Sequence, residues 1–238
     1  MSNVLITGAS RGIGKACAEF FAENKYDLYL VCHKSAEVLR ELAESLQNKY
    51  GITCKAFIGD VSNPEFAKTI FIDIPRLDML INNAGMSYVG LFQEMTDDDY
   101  RRVMGVNLDG CFYFSREAAR LMINQKNGSI INISSVWGER GGATEVVYSA
   151  TKGAINAMTK ALAKELAPSH ISVNAIAPGI IDTDMNKCFS NEDIEQIEQE
   201  IPVGRMGRPE EVARLAYSIA TSPEYLTGQI ITIDGGWT

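Results

Sequence analysis

Short apolar runs recur along the chain, separated by stretches whose apolar residues return at helical spacing. Val4-Leu5-Ile6, Asp27 to Cys32, Thr53 to Ile58, Leu77 to Ile81, Ile130 to Ile133, Ile171 to Ile176 and Gln229 to Ile233 read as strands. Helical patterns follow the first strand to about Asn24, then span roughly Ser35 to Tyr50, Pro64 to Ile72, Thr96 to about Asn124, Glu192 to Glu200 and Pro209 to Thr221. A further helix opens with Tyr148. Thr96 followed by Asp97, Asp98 and Asp99 marks a helix start, an N-cap with acids in the first turn. Strand and helix alternate throughout, which predicts an α/β fold: one doubly wound parallel sheet of seven strands with helices on both faces.

Composition narrows the class. A chain of 238 residues with 46% hydrophobic content is enough for one α/β domain with a full core, expected to span 1–238. No apolar run is long enough for a membrane span, and MSNVLITGAS runs straight into a strand, so neither a membrane segment nor a signal peptide is expected. The net charge of -8 argues against nucleic acid as a partner and against an acidic partner without a local basic patch. Cys17, Cys32, Cys54, Cys111 and Cys188 are odd in number and form no C-x-x-C pair, which suits reduced thiols in the cytoplasm. Neither His33 nor His170 stands at metal-ligand spacing to a cysteine, so no metal site is expected.

Several strand ends carry candidate chemistry. Gly8, Ser10, Arg11, Gly12, Ile13 and Gly14 form a glycine turn at the first strand–helix junction. There the backbone can approach a pyrophosphate and the helix N-terminus supplies free N–H groups, although the turn also reads as a tight loop. After the second strand come His33 and Lys34, with Arg11 near and no carboxylate. That pattern suits the 2′-phosphate of NADP, so NADPH is the expected cofactor; the plain alternative is a solvated loop. Asp60, before Val61, is either an acceptor for adenine or a turn former. Asn83, Ala84 and Gly85 follow the fourth strand, small enough for a cofactor to pass near the backbone. Pro178 and Gly179 make a turn, and the irregular segment 183–207 is a candidate substrate lid.

Reactive groups concentrate between Ser129 and Leu166. Tyr148 and Lys152 stand one turn apart on one helix face, opposite the hydroxyls of Ser134 and Ser135 at a strand end. A free tyrosine ionises near ~10. An ammonium about 4 Å away at a dielectric of about 20 favours the phenolate by roughly 4 kcal/mol, or about three pKa units, as an upper bound. Tyr148 is thereby expected to move toward the range of a general acid, with Ser135 donating to the same carbonyl oxygen. The plain alternative makes Tyr148 a core residue and Lys152 a solvated charge. Asn107 lies on an apolar helix face, where it either satisfies a backbone group or holds a water near Lys152.

Over essentially its whole length the chain resembles the short-chain dehydrogenase/reductase family. The motifs are TGASRGIG at Thr7–Gly14, NNAG at Asn82–Gly85, Asn107, Ser135, YSATK at Tyr148–Lys152 and PGIIDT at Pro178–Thr183. The resemblance implies a Rossmann-type fold, a homotetramer and a catalytic tetrad of Asn107, Ser135, Tyr148 and Lys152. In it Tyr148 donates the proton, Lys152 also binds the nicotinamide ribose, and Asn107 supports a relay through water. Pro178, Gly179, Ile181 and Thr183 would meet the nicotinamide end. Within the family the chain is most similar to bacterial 3-oxoacyl-[acyl-carrier-protein] reductases of fatty acid synthesis, which implies a substrate tethered to acyl carrier protein. Those enzymes have Gly and Gln, then Asn directly before the tyrosine, where Thr144 to Val147 here read TEVV. Their arginine after the catalytic helix is replaced by Pro168-Ser169-His170, although Lys126 keeps a basic residue nearby. The patterns VWG, EVVYSA and IDTDMN are similar to a sister group that reduces a 5-aminopentanone group on modified elongation factor P. Weaker expectations are a steroid, sugar or polyol dehydrogenase, and a non-catalytic NADP-binding regulator, which typically lacks the Tyr or Lys.

Overall fold

A computed structural model of the chain describes residues 2–186 and 190–238, so Cys188 and part of the candidate lid lie outside the described residues. Seven strands form one sheet: β1 (Asn3–Thr7), β2 (Asp27–Cys32), β3 (Cys54–Ile58), β4 (Met79–Asn82), β5 (Gly128–Ile133), β6 (Ile171–Pro178) and β7 (Ile230–Ile233). Their order is β3-β2-β1-β4-β5-β6-β7 and every pairing is parallel. The helices are α1 (Gly12–Glu23), α2 (Ala36–Tyr50), α3 (Pro64–Ile72), α4 (Asp97–Met104), α5 (Gly110–Gln125), α6 (Trp137–Arg140), α7 (Val146–Leu166), α8 (Asn191–Glu200) and α9 (Pro209–Ala220). Among the described residues, none is long and apolar enough to cross a membrane.

Side chains alternate along a strand, and each face of this sheet has its own core. Val4 and Ile6 of β1 pack on one face with Phe21 of α1 and Ala216 of α9. Leu5 points to the other, among Ile70 of α3, Phe114 of α5 and Leu166 of α7. Strand order reverses at β1, whose neighbours are β2 and β4, and this opens a crevice at the carboxyl ends of β1 and β4.

Helix starts follow local chemistry. Thr96 Oγ1 accepts from the Asp99 N–H at 3.1 Å, and Asn63 Oδ1 from that of Glu65 at 3.0 Å ahead of Pro64. Several boundaries differ from expectation: α7 opens at Val146, one half-turn before Tyr148, β5 begins at Gly128, and β6 continues through Pro178, which was expected in a turn. β4 begins at Met79 rather than Leu77. The Leu77 N–H donates to Gln125 Oε1 at 2.9 Å and the Asp78 N–H to Asn3 Oδ1 at 3.1 Å, so side chains replace the ladder there. The helix expected from Thr96 to Asn124 is interrupted by a π-turn over Gly105–Asp109, which separates α4 from α5.

The segment 183–207 leaves and rejoins the sheet at one point. Ile181 bridges Gly207, and the Asp182 N–H donates to the Gly207 carbonyl at 2.9 Å. The short turn Asp184–Asn186 and α8, with its Ser190–Asp193 capping box, lie within this excursion. Beyond β7, the Trp237 ring lies 5.2 Å from that of Trp137 and its indole N–H donates to Glu200 at the end of α8.

Candidate active site

The glycine turn and the motif after β4 are joined directly. Thr7 Oγ1 accepts from the N–H groups of Asn83 and Ala84, each at 3.0 Å. The Asn83 side-chain amide donates to the carbonyls of Thr7 at 2.9 Å and Gly8 at 3.1 Å. Gly8 sits at φ +68, and a Cβ there would lie 2.9 Å from Ala84 Cα; a Cβ on Gly14 would collide with the Gly8 carbonyl. The backbone is therefore drawn tight around the crevice and α1 points its N-terminus into it. This is a cradle that fits a dinucleotide pyrophosphate.

Other residues expected at the cofactor sort by side chain. Ser10 is buried, and Ile13 and Val61 pack into the two cores, which leaves their backbones for any contact. His33 and Lys34 are exposed at the end of β2. Asp60 accepts at Oδ1 from the N–H and hydroxyl of Ser62 at 2.9 and 2.8 Å, so it forms a turn. Those bonds, with His33 and Lys34 nearby, hold its carboxyl below the usual range against the effect of burial. Arg11 lies 3.8 Å from Asp184, and a Cβ on Gly12 would lie 3.2 Å from Thr183 Cγ2, so the start of the lid segment borders the glycine turn. Pro178 and Gly179 are tied to neighbouring chain: the Pro178 carbonyl accepts from the Val136 N–H and the Gly179 N–H donates to the Ile233 carbonyl, both at 3.0 Å.

The four residues of the expected tetrad converge at the carboxyl ends of β4 and β5. Ser135 is buried just beyond β5, near Tyr148, and its Oγ accepts from the Trp137 N–H at 3.2 Å. Lys152 is buried beneath, with Nζ 5.5 Å from the centre of the Tyr148 ring and donating to the Ile133 carbonyl at 2.8 Å. Asn107, buried in the π-turn, accepts from the Met86 N–H at 2.8 Å and donates to the Met86 carbonyl at 3.0 Å and to Thr151 Oγ1 at 3.2 Å. Of its two readings, the structure bears out the satisfied backbone group. A Cβ on Gly85 would lie in ordinary contact, 3.5 Å from Asn107 Oδ1 and 3.7 Å from Lys152 Nζ, so the Gly85 backbone passes directly over these groups.

The electrostatics differ from the expectation of a depressed tyrosine. Burial pushes the Tyr148 phenol up to about 12; the Ser135 hydrogen bond opposes this and the Glu145 carboxylate adds to it. Burial holds the Lys152 ammonium down at about 8. Desolvation is the largest cause at both groups. The phenol consequently keeps its proton at neutral pH, while the lysine beside it exchanges protons readily.

Residues outside the expected tetrad complete the site. Ser87 Oγ donates to Glu145 Oε1 at 2.7 Å, joining the loop after β4 to the start of α7. Beneath the tetrad, the Asn82 side-chain amide donates to Ser115 Oγ and Asn132 Oδ1, both at 2.9 Å, and Asn132 donates to Thr159 Oγ1 at 2.9 Å. The signal for this network was the paired asparagines at the ends of two apolar strands.

Comparison with known proteins agrees with this geometry. Residues 2–193 match the short chain dehydrogenase family. The chain is 38% identical over 235 residues to the uncharacterized oxidoreductase YmfI of Bacillus subtilis, covering 98% of this chain and 97% of that one. It is 40% identical over 237 residues to the 3-oxoacyl-[acyl-carrier-protein] reductase FabG of Aquifex aeolicus, covering 98% and 95%. A solved structure from Beutenbergia cavernae with bound NADP at low occupancy superposes with a TM-score of 0.94 at 30% identity, covering 99% of this chain and 96% of that one. With the tyrosine, the lysine and the glycine turn at the crevice of the sheet, the chain belongs to the short chain dehydrogenase family of oxidoreductases.

Proposed function

We propose that the protein reduces a ketone to a secondary alcohol with NADPH. One observation carries this reading: the protonated Tyr148 phenol stands above the buried Lys152 Nζ, with the buried Ser135 hydroxyl close enough to act on it. NADPH, when bound, supplies the hydride. Ser135 holds the carbonyl oxygen, and Tyr148 gives that oxygen its proton. Lys152 stabilises the phenolate that results and returns a proton to it. Asn107 positions the Met86 loop and α7 around this pair. Gly8, Gly12 and Gly14 would cradle the pyrophosphate, and Arg11, His33 and Lys34 the 2′-phosphate. A binding-only role is disfavoured, because both the Tyr and the Lys are kept.

The relatives of the FabG type support a 3-oxoacyl group on acyl carrier protein as substrate. A second reading, the 5-aminopentanone group of modified elongation factor P, is favoured by Glu145, which brings a negative charge to the tyrosine where the carrier-protein reductases have Gln. Both are ketones on a protein. Free thiols at Cys17, Cys32, Cys54 and Cys111 support a cytoplasmic location, and the exposed Phe112 and Ile123 of α5 support a homotetramer. The test is NADPH oxidation by the purified protein with acetoacetyl-CoA and with an amino ketone. Turnover of either supports the reading, whereas NADPH binding without turnover of any ketone sinks it.

A further inference from the structure

The Glu145 carboxylate is close enough for its charge to act on Tyr148, and it is held in position. It is the N-cap residue of α7, yet its side chain makes no cap hydrogen bond and reaches across to Ser87 instead. Ser87 follows Met86, whose N–H and carbonyl are both bound by Asn107. The preceding residue, Thr144, is β-branched and sits at φ +63, a conformation that glycine adopts freely. Its carbonyl accepts from the Gly90 N–H at 2.9 Å. Two bonds between the loops, one from the backbone and one from a side chain, thus fix the carboxylate beside the catalytic groups. Glu145 Oε2 has no hydrogen-bond partner, and no Lys, Arg or His pairs with the carboxylate, among the described residues. Lys152 is directed away, to the Ile133 carbonyl.

This carboxylate is half-buried and has no counter-charge within reach among the described residues. It is also in the wrong place for a neutral substrate. When Tyr148 gives up its proton the phenolate forms within the field of Glu145, which disfavours it. A positive charge on the substrate would remove that penalty.

We propose that Glu145 is a specificity-determining residue: its carboxylate receives a cationic group, of the ammonium class, that the substrate carries a few bonds from the ketone. This rests on the reading of Tyr148 as proton donor to a carbonyl. Docking of the cation brings the carbonyl to Ser135 and Tyr148 and offsets the charge that opposes the phenolate. The preference therefore acts on the rate as well as on binding. A neutral acyl chain gains neither effect.

The test uses two matched methyl ketones with the full chain and NADPH. One carries a trimethylammonium group three methylenes from the carbonyl; the other carries a tert-butyl group in its place, the same shape without charge. The wild-type protein is expected to favour the cationic ketone in kcat/KM by about tenfold or more, as expected for a partly desolvated ion pair. In Glu145→Gln, which keeps an acceptor for Ser87, that ratio is expected to fall to about one, and retained NADPH affinity reports an intact fold. Equal wild-type turnover of the two ketones overturns this inference alone, as does a ratio that Glu145→Gln leaves unchanged. Turnover of neither, with NADPH bound, overturns the ketone-reduction reading as well.

Discussion

Lys152 donates from Nζ to the Ile133 carbonyl at 2.8 Å, which ties the middle of α7 to the last residue of β5. The bond satisfies one of three ammonium donors and leaves the cation buried below the tyrosine. Burial at this place holds the lysine near 8, where it is about evenly divided between its two forms at slightly alkaline pH.

A stability cost follows with a definite sign. The folded lysine is depressed from 10.5 to about 8, so its charged form is penalised in the folded state by about 3 kcal/mol, an upper bound. The penalty is complete below pH 8 and vanishes as pH rises toward 10.5. Lys152→Met is therefore expected to be more stable than wild type to urea at pH 7, less the lost bond to Ile133. The difference shrinks by pH 10. A variant less stable at pH 7 by several kcal/mol would show that the charge is compensated.

The pH–rate profile reads the same group. Tyr148, at about 12, stays protonated throughout the working range, so the first group to lose its proton with rising pH is Lys152. kcat/KM for ketone reduction is expected to be level below pH 8 and to fall about tenfold per pH unit above it. A profile level to pH 10 contradicts this assignment.

Arg11 tests the cofactor. It stands at the N-terminus of α1, 3.8 Å from Asp184 and largely exposed. Arg11→Ala is expected to weaken NADPH by about ten- to a hundredfold, the worth of one charged hydrogen bond, and to leave NADH unchanged. Direct titration with both cofactors measures it; equal losses for the two would place the 2′-phosphate elsewhere.

Asn107 carries a structural load that its sequence context only half revealed. Asn107→Ala leaves the Met86 N–H and carbonyl without partners and should cost about 1–3 kcal/mol in urea unfolding. A cost within 0.5 kcal/mol of zero, about the usual range of neutral surface changes, would mean that water replaces the side chain easily.

The sheet was legible because each strand is a short apolar run bounded by turn residues, and because the glycine turn and NNAG stand at the ends of neighbouring strands. Ser135, Tyr148 and Lys152 were legible for a similar reason, since one helical turn and one strand end bring them together whatever the details. Other features left no local signal. The π-turn at Gly105–Asp109 lies inside a stretch whose residue types read as continuous helix. Thr144 in a left-handed conformation looks like any loop threonine. The rise of the tyrosine leaves no mark in the sequence, because its cause is burial, which is set by the whole fold, while only the neighbouring charge is local.

The central claim is that Tyr148 protonates a ketone reduced by NADPH, and Tyr148→Phe tests it most directly. NADPH affinity by titration and NADPH oxidation with the best ketone are measured side by side for both proteins. Affinity within about twofold of wild type together with a loss of turnover of about a hundredfold or more is the predicted result. Turnover that survives the loss of the phenol would contradict the account.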